Sequence, residues 1–478
     1  MKTMVLAALG AALAMAGAGL ARAQTPPDAP PAAQPWTIPS DAEIRQILID
    51  RIDVQHQGVG LVVGVVDAKG RRFISHGDMA KGDPRPVDSK TIFEIGSMSK
   101  VFTSLLLADM VQRGEARLDD PVAKYLPAGT KVPERGGKQI TLIDLATHSS
   151  GLPRIPTNFA PKDPKNPYAD YDAQKLYQFL AGYSLPRDIG AQYEYSNLGA
   201  GLLGHALSLR AGASYGALLQ SRIAEPLGMA STTVALSPEQ KARLAPGYDI
   251  TGDPTSNWDL DALAGAGAIR SDAEDILTFL AAELGYAKTP LAAAMKAQLE
   301  PRRPTASPST QVALGWHVTT FPGGRQIVWH DGGTGGYRTM MAFDPKAGVG
   351  VVALSNRFTE AGVDDIPMHI LAGTPLAAPP PVHHEVAVDP KAIQGLAGRY
   401  ELAPQVFVDV TFKDGKLFAQ VAGQPAYPVF MEGPRQIFWK VVEASADFEI
   451  DAQGRATALI LHQAGQTARA PRVEAPAH

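Results

Sequence analysis

Two stretches of strand character stand far apart in this chain. "GVGLVVGVVDAKGRRFISHG" runs from Gly58 to Gly77, and "YRTMMAFDPKAGVGVVALSN" runs from Tyr337 to Asn356, preceded by "RQIVWHDGG" from Arg325. Turn signals at Asp67 to Gly70 and at Asp344 to Gly348 divide them into paired strands. From Ser97 the long interval between them reads as helix and loop, with helices expected over Ser99 to Arg113, Leu142 to Thr147, Ala173 to Tyr183, Leu198 to Ala211 and Tyr215 to Glu225. A further helix is expected over "DAEIRQILIDRI", capped by Ser40 with acids in its first turn. Strands at both ends with helices between them predict an α+β fold in which N- and C-terminal strands close one antiparallel sheet.

At 478 residues the chain is too long for one ordinary domain. "TPLAAPPPVHHE" opens a linker over 374–392, and the short alternating segments that follow, "VFVDVTF" and "KLFAQV" among them, predict a small all-β domain over 393–478, a barrel or sandwich. Residues 40–373 then form the first domain. Met1 to Ala23 combine a lysine, an Ala/Leu-rich run and an Ala-Arg-Ala end, which read as a secretory signal peptide, followed by a Pro/Ala-rich spacer over 24–39. The expected location is therefore periplasmic or secreted. With 44 basic and 48 acidic residues and no long basic run, nucleic acid is not an expected partner. There is no cysteine, so stability rests on core packing alone. His383 and His384 are adjacent without a third spaced ligand and read as linker residues.

The segment "FEIGSMSK", Phe93 to Lys100, crosses from strand to helix at Gly96 and places Lys100 three residues after Ser97. Residues at i and i+3 share a helix face, so the lysine is placed to take the serine's proton, while the helix N-terminus supplies N–H groups for an oxyanion. Gly96 leaves the space where a substrate approaches. Taken alone, Ser-x-x-Lys is a weak signal that should occur by chance roughly once in a chain this long, and a helix cap is then the favoured reading.

In full, "FEIGSMSK" resembles the active-site segment of class C β-lactamases, within the serine hydrolase family that includes D-alanyl-D-alanine carboxypeptidases and related esterases. "EYSNLGAG" (Tyr195, Ser196, Asn197), "VWHDGGTGG" (His330, Asp331, Gly332, Gly333) and "LATHSSGLP" (Leu145 to Pro153) are similar to that family's further motifs, in the family's order. The resemblance implies a β-lactamase/transpeptidase-like fold and an acyl-enzyme on Ser97. Lys100 would be the proton acceptor or electrostatic partner, and Tyr195 the base that returns a proton to the leaving amine. Asn197 would hold Lys100 and a substrate amide, and His330 would orient Tyr195 and the substrate carboxylate. Gly332 and Gly333 would line the substrate site, with the N–H groups of Ser97 and Gly333 forming the oxyanion hole. No metal or organic cofactor is implied.

The implied substrates are a β-lactam or a D-Ala-terminated peptide, with β-lactam hydrolysis the leading expectation. Carboxypeptidase/endopeptidase or esterase action, or a receptor that binds β-lactams or muropeptides without turnover, are the alternatives. Two positions depart from the class C pattern: His330 stands where lysine is usual, and Ile155 where a side-chain-binding glutamine is expected. With only one lysine near it, Tyr195 is expected to rest as the neutral phenol and to act with Lys100 in a concerted proton relay. Arg338 is open to two readings, a partner for a substrate carboxylate or a solvated strand-face charge, while His148 and Asp331 read as structural. The β-domain is expected to pack on or partly cap the first domain, with cell-wall contact as a further possibility.

Overall fold

The computed structural model describes residues 36–474 apart from 360–361, 379–380, 382, 404–405, 422–425, 443 and 464–465. The signal-peptide expectation, and the spacer as far as residue 35, lie outside the described residues. The chain forms two compact units, residues 35–379 and a C-terminal unit from residue 380.

The first unit is built on a nine-stranded sheet. Its strands are β1 (Gly60–Asp67), β2 (Gly70–Ala80), β3 (Asp83–Pro86), β4 (Arg303–Pro304), β5 (Thr310–Val312), β6 (His317–Thr320), β7 (Gln326–Gly333), β8 (Arg338–Asp344) and β9 (Val349–Ser355). They lie in the order β3-β2-β1-β9-β8-β7-β6-β5-β4, so the N-terminal hairpin pairs directly with the last strand, antiparallel, with Leu61 opposite Ser355 and Val66 opposite Gly350.

The apolar runs of β1 and β9 are unbroken because both sheet faces are covered. Leu61, Val63 and Val65 join a core with Ile44 and Leu48 of α1 (Asp41–Ile49) and with Ile366 and Ile370 of a helix over Asp365–Ala372. Val62 and Val66 face the other way, into the large core that holds Phe102 of α2 (Ser99–Gln112) and Leu277 of a helix over Ala273–Glu283. That second helix lies close to the sheet because Gly64 has no side chain there: a Cβ would sit 2.8 Å from Leu277 Cδ1.

Ser40 makes the expected capping box with Glu43 at the start of α1. The expected continuous helix from Tyr215 to Glu225 is broken into an α-turn over Tyr215–Leu219 and a π-turn over Gln220–Ala224. Pro226 explains this, since it lacks an N–H and its ring crowds the carbonyl of residue 222, favouring the wider i→i−5 register just before it.

The second unit is a closed barrel of eight antiparallel strands, from Gly398–Ala403 to Gln466–Val473. Closure is made by the first and last strands, with Arg399 opposite Val473 and Tyr400 opposite Arg472. Inward positions such as Tyr400, Val408, Val410, Leu417, Ile437 and Leu459 fill it with a single apolar core. His383 is held by Glu432 at 2.8 Å and its ring stacks on Phe438.

Candidate active site

Ser97 is fixed from three directions before any substrate is considered. The two-residue strand Phe93–Glu94 pairs with Arg270–Ser271, Ile95 N–H donates to the Ile269 carbonyl at 3.0 Å, and Thr339 Oγ1 on β8 donates to the Ile95 carbonyl at 3.0 Å. Gly96 then turns the chain with φ of +52°, and Ser97 lies in a single 3₁₀ turn, Gly96–Met98, that leads into α2. What approaches Gly96 is the end of β7 rather than a substrate: a Cβ on Gly96 would meet the Gly333 nitrogen at 2.6 Å. Gly332 is tighter still, because its Cβ would meet the Ile95 oxygen at 2.0 Å. The two glycines let strand and helix start meet backbone to backbone, placing Gly96, the residue before Ser97, against the main chain of Gly333.

Hydrogen bonding speaks against a capping role for Ser97. No side-chain capping bond is made at the start of α2, and Ser97 Oγ lies 2.8 Å from Lys100 Nζ. Lys100 is 2 % exposed and also donates to the Ala266 carbonyl at 2.7 Å. Burial, with the Arg154 charge adding to it, holds its ammonium well below the ordinary lysine range, and Asp331 opposes this only in part.

Tyr195 completes the set. Its ring lies 4.9 Å from Lys100 Nζ, stacks on His148 at 4.5 Å and has the Arg154 guanidinium 4.8 Å from its centroid. Burial, reinforced by the Asp331 carboxylate, pushes its hydroxyl well above the ordinary phenol value, against a hydrogen bond with Ser97 and the charge of Arg154. The phenol is therefore neutral, as the sequence led us to expect. His148 positions it: its Nδ1 accepts from Ser196 N–H at 3.1 Å, its carbonyl accepts from Glu194 N–H at 2.7 Å, and its φ of +53° is a strained value for a non-glycine residue, costing roughly 1 kcal/mol or more. Ser196 caps the helix α3 (Asn197–Ala211), accepting from Gly199 N–H at 2.8 Å.

Two expected roles change. Asn197 was assigned to Lys100, but its Nδ2 donates to the Tyr168 hydroxyl at 3.3 Å, and the lysine is held by the Ala266 carbonyl instead. The Asn197 Oδ1 is buried and has no partner among the described residues. His330 is fully buried on β7, with Nδ1 2.6 Å from the carbonyl of Asp331. A carbonyl only accepts, so Nδ1 carries the proton and Nε2 is a lone pair, again without a partner among the described residues. Burial first and then His317 push His330 down to about 3, so it stays neutral. A substrate carboxylate finds no donor in it; a hydroxyl or amide N–H does find an acceptor.

Arg338 fits neither of its two readings. It pairs with Asp364 and lies 3.6 Å from Asp331. Although burial pushes the Asp331 carboxyl up, Arg338, His330 and His317 together hold it below the ordinary range. His317 on β6 joins this group: its ring lies 5.3 Å from His330 and stacks on Trp329 at 4.7 Å, while Nε2 meets the Tyr193 hydroxyl at 3.0 Å. Sequence reasoning missed Arg154, Ala266 and His317, and took His148 and Asp331 as structural. His148 had a signal in "THSSGLP", where a histidine precedes the turn that leads to Arg154, whereas Ala266 contributes only a carbonyl and had none.

Comparison with known proteins agrees with this geometry. The β-lactamase family model matches residues 41–373, and a domain of unknown function, DUF3471, matches 383–472. The chain is 30% identical over 368 residues to the D-alanyl-D-alanine-carboxypeptidase/endopeptidase AmpH of Escherichia coli K12, covering 73% of this chain and 94% of that one. It is 26% identical to penicillin-binding protein 4* of Bacillus subtilis, covering 90% and 98%. Among solved structures, a class C β-lactamase from Rhodobacter sphaeroides is similar at 30% identity and a TM-score of 0.58, covering 66% of this chain and 94% of that one.

Proposed function

Since the chain belongs to the β-lactamase family of serine hydrolases, we propose that it is an exported enzyme that forms an acyl-enzyme on Ser97 with β-lactams and releases it to water. The observation that carries this reading is the Ser97–Lys100 pair at 2.8 Å beneath Tyr195. Lys100, whose ammonium is destabilised by burial, takes the Ser97 proton in its amine form as Oγ bonds to the acyl carbon. The oxyanion is met by the N–H groups of Ser97 and Gly333. As the C–N bond breaks, Tyr195 gives its proton to the departing nitrogen and recovers one from Lys100, so no free tyrosinate is required. Water then adds to the ester by the reverse relay. Asn197 Oδ1, buried and unpartnered among the described residues, is an acceptor for an amide N–H of the acyl group.

A second reading is D-alanyl-D-alanine carboxypeptidase or endopeptidase action, in which the same acylation is followed by turnover of peptides and β-lactams act as inhibitors. It is favoured by His330, neutral where a cation is usual in class C β-lactamases, and by the similarity to AmpH. A mass-spectrometric time course with a chromogenic cephalosporin separates the two. Sustained hydrolysis with a transient adduct supports the first, a long-lived adduct on Ser97 supports the second, and neither hydrolysis nor adduct refutes both.

A further inference from the structure

We propose that Arg154 receives the carboxylate that the acyl donor carries next to its departing atom; the inference rests on the acyl-enzyme reading above. Lactam-ring carboxylates and the terminal carboxylate of a D-amino acid share one placement, on the carbon bonded to the leaving nitrogen. The proton donor to that nitrogen is Tyr195, so the carboxylate arrives beside the Tyr195 ring. The cation there is Arg154, its guanidinium 4.8 Å from the ring centroid.

Other cationic side chains of the first unit have partners of their own among the described residues. Arg338 pairs with Asp364 and Asp331, Arg303 donates to Asp144 and Ser149, Arg187 pairs with Glu194, and Arg270 bonds Glu94 and the Trp258 carbonyl. Lys100 is buried on Ser97 and Ala266, and His330 presents a lone pair. Arg154 is exposed, and among the described residues its guanidinium has no ion-pair partner. Its backbone is nevertheless fixed, since its carbonyl accepts from Asn197 N–H at 3.0 Å and Leu198 N–H at 3.2 Å at the start of α3. A rigid base beneath a free fork suits bidentate carboxylate recognition. Asp331, the acid whose charge reaches Tyr195, is met by Arg338 at 3.6 Å, which lessens its repulsion of an incoming anion.

The test uses two thioester donors with one acyl group, hippuryl thioglycolate and its neutral counterpart hippuryl thioglycolamide. Both leave the same hippuryl ester on Ser97 as the C–S bond breaks and the thiol departs, so deacylation is common to both and only the leaving-side charge differs. The full chain is expected to prefer the carboxylate donor by about tenfold in kcat/KM, a typical value for one charge-assisted contact. Arg154→Gln should bring that ratio near one, and Arg154→Lys should restore part of it. A merely structural role, including an effect on Tyr195 through its ring, would depress both donors alike and leave the ratio unchanged, which would overturn the proposal. If neither donor acylates Ser97 by mass, the acyl-enzyme reading fails and takes this inference with it.

Discussion

Lys100 Nζ donates to the Ala266 carbonyl at 2.7 Å while it lies 2.8 Å from Ser97 Oγ, and neither partner is an anion. A buried ammonium without a carboxylate in contact loses its proton readily. The rate of acylation should therefore rise with pH along a single acidic limb that belongs to Lys100, with an apparent pKa well below that of free lysine. Lys100→Met should lower acylation by at least about a thousandfold and remove the limb. A limb that persists in that variant would assign it elsewhere.

His330→Lys tests whether Tyr195 rests as the neutral phenol. The ring of His330 lies 6.2 Å from that of Tyr195, and a new ammonium there would favour the phenolate and disfavour the Lys100 cation. Both effects move the acidic limb to lower pH. An unchanged limb in the pH–rate profile would count against the relay.

Ser97→Ala should abolish covalent labelling by penicillin-type reagents, read by intact mass, with circular dichroism and melting temperature close to wild type. Labelling that survives would place the nucleophile elsewhere.

Gly332→Ala is expected to cost about 2–4 kcal/mol and to slow acylation as well, because the obstructing atom, the Ile95 oxygen at 2.0 Å, is backbone and cannot turn aside. Gly182→Ala, at a helix end with nothing within 4 Å of the added carbon, serves as the control and should be neutral or slightly stabilising. Denaturant midpoints of the two variants make the comparison.

The buried histidines make the first unit sensitive to acid. Burial lowers His317 to about 4 and His330 to about 3, so below pH 6.5 the unfolded chain takes up protons that the folded chain refuses. Stability should fall as pH drops from about 6.5 toward 4 and level off below the folded values. His317→Gln removes one of these protons and should reduce the loss between pH 7 and 4 by on the order of 2–3 kcal/mol, measured by urea unfolding. An equal loss in both proteins would contradict the assignment.

Much of the sheet and the Ser97–Lys100 pair could be read from the sequence because each had a local signal. The runs at Gly60 and Val349 are apolar on both faces, and Ser97 with Lys100 needs only helical periodicity to be placed. The short edge strands at Arg303 and Thr310 escaped, since two or three residues show no alternation. At the site, tertiary partners decided what spacing could not. Whether Asn197 meets Lys100 or Tyr168 depends on how the loop bearing Tyr168 folds back, and the tautomer of His330 depends on its own neighbour's carbonyl. Arg154 gave no sign because a lone exposed arginine looks like any solvated charge until Tyr195 is found beneath it.

The barrel of the C-terminal unit is closed by the pairing of Arg399 with Val473. Among the described residues every one of its eight strands thus has a neighbour on each side, which shortens the sheet edge open to pairing with another chain. Such a module can be appended to an enzyme while adding little edge for strand-by-strand self-association. Whatever it recognises must be read by side chains on its outer wall or by the turns at its rims.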